Sequence, residues 1–238
     1  MLRLEDMLAK MQFFAEGTHE YHHHTALLTM FQVLELLDRS ELKTDLLQEL
    51  DRQKMILDGL RGNPAIEQER LTGLLGEIER ATSSLRAMTN RLGQPLRDND
   101  WLMSVKQRAV IPGGVCEFDV PSYHYWLGLA PESRQLDLRH WFTPLQSLKD
   151  ALAILLRILR GSGAPSTCTA RMGGYQQMLG GGKPAQMLRV ELPEDAVCFP
   201  EISANKYAIG IRFSCLDGTQ KPRPCDFDVE FKLSLCNL

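Results

Sequence analysis

The chain has 238 residues, 44% of them hydrophobic and 24% charged, with a formal net charge of −3. That length suits one large domain or two small ones with a sizeable core, and the slightly acidic balance argues against a globally basic nucleic-acid binder. Met1 to Glu5 carries charge at once, and the longest apolar stretch, Ala151 to Leu159, is interrupted by Arg157. Neither a signal peptide nor a membrane span is therefore expected, which points to the cytoplasm.

The first part of the chain reads as helices. Leu2, Leu4, Met7, Leu8, Met11 and Phe14 form a helical stripe, and Leu27, Leu28, Phe31, Leu34 and Leu37 repeat the spacing across Ala26 to Leu37. A third helix is expected from a Ser40 cap, through Leu46, Leu47 and Leu50, to a stop at Gly62 and Pro64. A fourth is expected from Ala65 to Met88 and a fifth from Asp98 to Arg108. Ile111-Pro112-Gly113-Gly114 reads as a turn, and the alternation from Val115 to Val120 predicts a strand. The aromatic stretch Ser122 to Leu129 precedes a return to helix from Pro131 to Arg160.

The last third alternates with period two. Met187 to Leu192 is one such segment; Ile209, Ile211, Phe213 and Cys215 face one side of a second, against Gly210, Arg212 and Ser214. A third sets Phe227, Val229, Phe231 and Leu233 against Asp226, Asp228, Glu230 and Lys232. These predict half-buried antiparallel strands, with Gly173-Gly174 and Gly180-Gly181-Gly182 as loops beside them. The expected fold class is α+β: an N-terminal and central helical domain (1–110, with helices in 122–160 packing on it) packed with a C-terminal antiparallel β domain (111–120 and 164–238).

Few motifs carry chemistry. His19, His22 and His23 would share a helix face and could present imidazoles to zinc, but no carboxylate or cysteine stands at ligand spacing, and exposed polar residues between two helices read the same way. Gly180-Gly181-Gly182-Lys183 lacks the Ser or Thr of a phosphate loop and is followed by Pro184, so it reads as a hairpin loop. The six cysteines (Cys116, Cys168, Cys198, Cys215, Cys225, Cys236) contain no C-x-x-C pair and are expected as free thiols in a reducing compartment. No catalytic spacing is present, and no metal site is expected. Arg189 and Arg212 on the polar sides of strands are either solvated or donor forks for a carboxylate. His124, among Tyr123, Tyr125 and Trp126, is either a core histidine or the edge of a binding surface; an enzyme or ligand-binding protein using that cleft is the alternative reading.

Several stretches, in order, resemble the ZapD family of bacterial cell-division proteins. They are Leu2-Arg3-Leu4-Glu5, Leu46 to Gln53, Val105-Lys106-Gln107-Arg108 with Ile111 to Gly114, Cys116 to Pro121 through His124 to Leu127, Phe199 to Ser203, and Lys206 through Ile211-Arg212-Phe213. The resemblance implies a symmetric homodimer without catalytic activity or cofactor, acting at midcell without nucleic acid or membrane insertion. It implies that a basic pocket associated with the β domain binds the C-terminal tail of the tubulin-like GTPase FtsZ, and that the dimer bundles FtsZ filaments. Carried over by position, the pocket residues are Arg3, Arg39, Arg108, His124, Lys206 and Arg212. Two departures stand out. Family chains usually carry a further N-terminal segment with another arginine before the L-R-L-E element; if that segment normally adds a strand, a β edge is left uncovered here. Some members also have an arginine where this chain has Ala208.

Overall fold

The computed structural model describes residues 1–38, 41–180, 185–218 and 220–238. They divide into two units, Met1–Leu156 and Arg157–Leu238. In the first, the expected stripe is α1 (Leu2–Ala15), which buries Leu4, Leu8, Met11 and Ala15. It packs on α2 (Glu20–Asp38), which buries apolar residues around most of its circumference and so forms the centre of the unit. Helices α3 (Leu42–Asp58) and α4 (Gln68–Ala87) pair with each other. Leu46 and Leu50 of α3 and Leu71, Leu75, Ile78 and Leu85 of α4 are buried, while Arg86–Asp51 (2.6 Å) and Lys54–Glu79 (3.5 Å) bridge their wet flanks. The short α5 (Gln94–Arg97) leads into α6 (Asp100–Ala109), whose Asn99 cap accepts the Leu102 N–H at 3.0 Å. Helices α7 (Pro121–Leu127) and α8 (Pro131–Phe142) follow, and the division at Leu156 falls within α9 (Gln146–Gly161).

Two sequence expectations need correction here. Val115 to Val120 is a run of turns within the first unit. Its backbone donors are used locally, Cys116 N to Gly113 O, Asp119 N to Cys116 O and Val120 N to Cys116 O, so the alternation has no partner strand. The second helix also begins earlier than its apolar repeat, at Glu20, so most of the histidine cluster is helical. The expected Ser40 cap and residues Gly181, Gly182, Lys183 and Pro184 of the glycine-rich loop lie outside the described residues.

The second unit contains β1 (Ser166–Ala170), β2 (Gly174–Met178), β3 (Met187–Glu191), β4 (Cys198–Ala204), β5 (Ala208–Cys215), the two-residue β6 (Arg223–Pro224) and β7 (Val229–Cys236). The three alternating segments are β3, β5 and β7. The loop expected at Gly173-Gly174 is a tight turn whose second glycine already begins β2. All the pairings are antiparallel, in two sheets ordered β1-β7-β3 and β2-β5-β4, with β6 on β5. Ala170, Ile209, Ile211, Phe213, Cys225, Val229, Phe231 and Leu233 form one buried cluster drawn from both sheets, with the Phe213 and Phe231 rings 5.0 Å apart. The β1–β2 hairpin joins the sheets through Met172 (φ 49°) and Gly173 (φ 72°), the twist that two-residue hairpins favour. Gly173 also sits too close to the backbone for a side chain: a Cβ there would lie 2.8 Å from Cys225 O.

Candidate functional site

The outer face of the β2-β5-β4 sheet follows from the alternation of β5. Burial of Ile209, Ile211 and Phe213 turns Gly210 and Arg212 outward. Register then fixes their neighbours. Gly174 of β2 and Glu201 of β4 flank Arg212; Gln176 and Ser203 flank Gly210. Arg171 pairs with Gly174 across the hairpin, which sets Arg171, Gly174, Arg212 and Glu201 in one row. Because Gly174 and Gly210 carry no side chain, the face holds a trough of about 690 Å³ lined by both glycines, Gln176, Glu201, Ser203 and Arg212. Neither glycine has a positive φ, and a Cβ would meet nothing closer than 3.5 Å at Gly174 or 3.7 Å at Gly210. Packing therefore does not require glycine at these positions; what the missing side chains leave is open surface.

Arg212 is exposed and has no hydrogen-bond or ion-pair partner among the described residues. Glu201 stands across from it, but its carboxylate accepts the Ser214 hydroxyl at 2.8 Å. Ser214, which the alternation alone places on the wet face, is buried, with Phe199 of β4 and Pro224 of β6 opposite it on either side. Lys206 lies in the β4–β5 turn, which Asn205 shapes by accepting the Tyr207 and Ala208 N–H groups (2.8 and 3.0 Å). Its ammonium sits over the Tyr207 ring, 4.8 Å from the centroid. Lys206 and Arg212 thus belong to one hairpin. Arg171, Glu201 and the two trough glycines were not singled out from the sequence, because cross-strand neighbours are set by register.

Arg3, Arg108 and His124 belong to the first unit; Arg39 lies outside the described residues. Arg3 is exposed in the first turn of α1, where the helix dipole disfavours a cation, so helix stability does not account for it. Arg108 is exposed in the last turn of α6, where the dipole favours it. His124 of α7 is half-buried, with Nε2 3.2 Å from Val115 O, so Arg108 and His124 flank the same 110–120 turn segment.

The aromatic residues near His124 pack into a cluster. Tyr123 and Trp126 are buried and stacked, 5.9 Å between ring centroids, and Trp101 and Trp141 close around Trp126 at 6.0 and 5.5 Å. The histidines also serve structure. His23 is fully buried; its Nε2 donates to Gly17 O at 2.7 Å and its Nδ1 accepts from Arg134 Nε at 2.8 Å. Burial holds its pKa below the ordinary 6.5 and keeps the ring neutral, as that acceptor role requires. Buried Arg134 is further bound by the carbonyls of Leu127, Leu129 (2.8 Å) and Thr18 (2.9 Å), which ties α8 to the α1–α2 turn. Burial likewise lowers His24, whose Nδ1 lies 2.7 Å from the Tyr123 hydroxyl. No set of three or more His, Cys, Asp or Glu side chains suited to a metal ion occurs among the described residues. No helix there is long and apolar enough to cross a membrane.

The family model for ZapD, described as a cell division protein, matches residues 2–212. The chain belongs to the ZapD family. It is 50% identical over 238 residues to the cell division protein ZapD of Aromatoleum aromaticum, covering all of this chain and 93% of that one. It is 49% identical over 237 residues to the protein of the same name from Janthinobacterium sp. strain Marseille, and 50% identical over 239 residues to that of Dechloromonas aromatica; each match spans this whole chain and 94% of the relative. The ZapD match runs through β5 as far as Arg212, so it takes in both units and the trough.

Proposed function

We propose that this chain binds the C-terminal tail of FtsZ in the trough of the β2-β5-β4 sheet and, as a homodimer, crosslinks FtsZ filaments at midcell in the cytoplasm, with no catalytic step or cofactor. The observation that carries the reading is a guanidinium, Arg212, without a partner among the described residues and held on a strand beside a glycine-floored trough in a chain of a cell-division family. A strand-mounted arginine loses little freedom on pairing, and its planar fork suits a carboxylate in two parallel hydrogen bonds. Lys206 adds charge at the hairpin tip, and Arg3, Arg39, Arg108 and His124 are proposed as FtsZ-binding residues as well. A twofold dimer carries two equivalent sites, so weak binding at each suffices once a filament presents many tails.

The test is sedimentation of polymerised FtsZ with and without this protein, repeated with FtsZ lacking its tail. Bundling should increase the pelleted FtsZ, and deletion of the tail should abolish both the increase and co-pelleting. Equal co-pelleting with tail-deleted filaments would place recognition elsewhere on FtsZ.

A further inference from the structure

Three cysteines without any linking sequence motif converge at the C-terminal end of β5. Cys198 of β4 stands opposite Cys215 of β5 in register. Cys225, just beyond β6, donates its N–H to Phe213 O at 2.9 Å, which continues the β5–β6 register (Ser214 with Pro224, Cys215 with Arg223) by one step. Cys225 is therefore diagonal to Cys215 on the same face, a relation within reach of cross-strand side chains. The Cys215 and Cys225 sulfurs are 3.1 Å apart, and both residues are free thiols. A disulfide has an S–S length of about 2.05 Å, so closing it needs a shift of roughly 1 Å.

From this geometry we propose that Cys215 and Cys225 form an oxidisable dithiol, which a hydroperoxide converts to an intramolecular disulfide that ties Cys225, just beyond β6, to the end of β5. The two cysteines differ in access: Cys225 is buried and Cys215 is half-buried. Burial, and then its contact with Cys215, raise the Cys225 thiol and keep it protonated. Cys215 is thus the thiol that meets the oxidant. Its thiolate attacks one peroxide oxygen; an S–O bond forms, the O–O bond breaks, and the departing hydroxide or alkoxide takes a proton from solvent. The Cys225 sulfur then displaces the hydroxyl of the Cys215 sulfenic acid. The S–S bond forms, the S–O bond breaks, and the hydroxyl leaves as water with the Cys225 proton. The two sulfurs together lose the two electrons that the hydroperoxide gains. The inference stands on thiol geometry and does not depend on the tail-binding reading.

The experiment uses the full chain, reduced, desalted and exposed to hydrogen peroxide, then alkylated and weighed intact. Alkylated thiols should fall from the six of the reduced chain to four. Trypsin plus a protease that cuts before aspartate puts the three cysteines in separate peptides, because Lys206 and Arg212 separate Cys198 from Cys215 and Asp217 separates Cys215 from Cys225. The Cys215 and Cys225 peptides should be joined before reduction and separate after it. Cys198→Ser should keep the link; Cys225→Ser should lose it and leave a sulfenic acid on Cys215 that dimedone traps. Six alkylatable thiols after peroxide, with circular dichroism showing a folded chain, would overturn the proposal. So would a link from Cys198 to Cys215 in the unsubstituted protein.

Discussion

Replacing Gly210 by valine separates a binding role of the trough from a structural one. Gly210 lies inside β5 with a backbone open to any residue, and a Cβ there would meet only Ser203 O, at 3.7 Å, an ordinary contact. Glycine within a strand costs about 0.5–1 kcal/mol relative to alanine, and valine is a stronger strand former still. The variant should therefore be as stable as the parent or more so by about 1 kcal/mol, a rise in Tm of roughly 2–4 °C for a chain of this size. The added side chain would stand on the trough floor between Gln176 and Ser203, one row from Arg212, in the volume proposed for the tail. Affinity for the FtsZ tail peptide should fall at least about tenfold, or 1.4 kcal/mol. Calorimetric titration with the peptide measures the affinity, and thermal unfolding by circular dichroism measures the fold. If the variant binds as tightly as the parent, the trough is not the tail site. If it melts well below the parent, Gly210 is there for the fold and the reasoning from its open surroundings is wrong.

Arg212→Ala should leave the fold intact, since the side chain is exposed and unpaired among the described residues, and weaken peptide binding by about 1–3 kcal/mol; Arg212→Lys should recover only part, and unchanged calorimetric affinity of the alanine variant would remove Arg212 from the site. Glu201→Gln removes the carboxylate opposite Arg212 while keeping an acceptor for Ser214, so peptide affinity should rise by about 0.5–1 kcal/mol, more at low salt; a decrease in the same titration would mean that Glu201 itself contacts the tail. Gly173→Ala should destabilise the protein by about 1–3 kcal/mol, read from the urea midpoint, because an alanine there takes a positive φ and crowds Cys225 O; an unchanged midpoint would refute the fit. Burial lowers His23 and His24 in the folded state, so the unfolded chain binds more protons as pH drops past about 6.5, and stability present above that pH is lost on acidification through the lower folded values. His23→Gln, which can still accept from Arg134, should flatten that dependence; a parent urea midpoint identical on both sides of pH 6.5 would contradict the assignment.

The helical part was legible wherever a stripe was long. The repeats of α1 and α4 predicted their buried faces, with Leu2 at the end of the α1 stripe left exposed, because a period near 3.6 turns local spacing into a face. The same logic read β5 and β7, and so placed Arg212 on the wet side from spacing alone. It failed at Val115 to Val120, where alternation without a partner strand collapsed into turns. It also passed over β1, β2 and β4, which are short, polar or exposed at a sheet edge and carry little periodic signal. The histidine cluster, conspicuous in the sequence, contains in His23 a neutral acceptor for a buried arginine 111 residues away.

By itself the sequence determined the α+β class, the family and the outward direction of Arg212, because each rests on spacing along one strand, one helix or one ordered set of motifs. Tertiary structure alone decided what stands beside Arg212. Strand register brought up Gly174, Glu201 and Arg171, opened the trough over Gly210, and gathered Cys198, Cys215 and Cys225 at the end of one strand. Register depends on which segments pair and how they slide, and that is settled by packing across the whole core, not by the order of residues within any one segment.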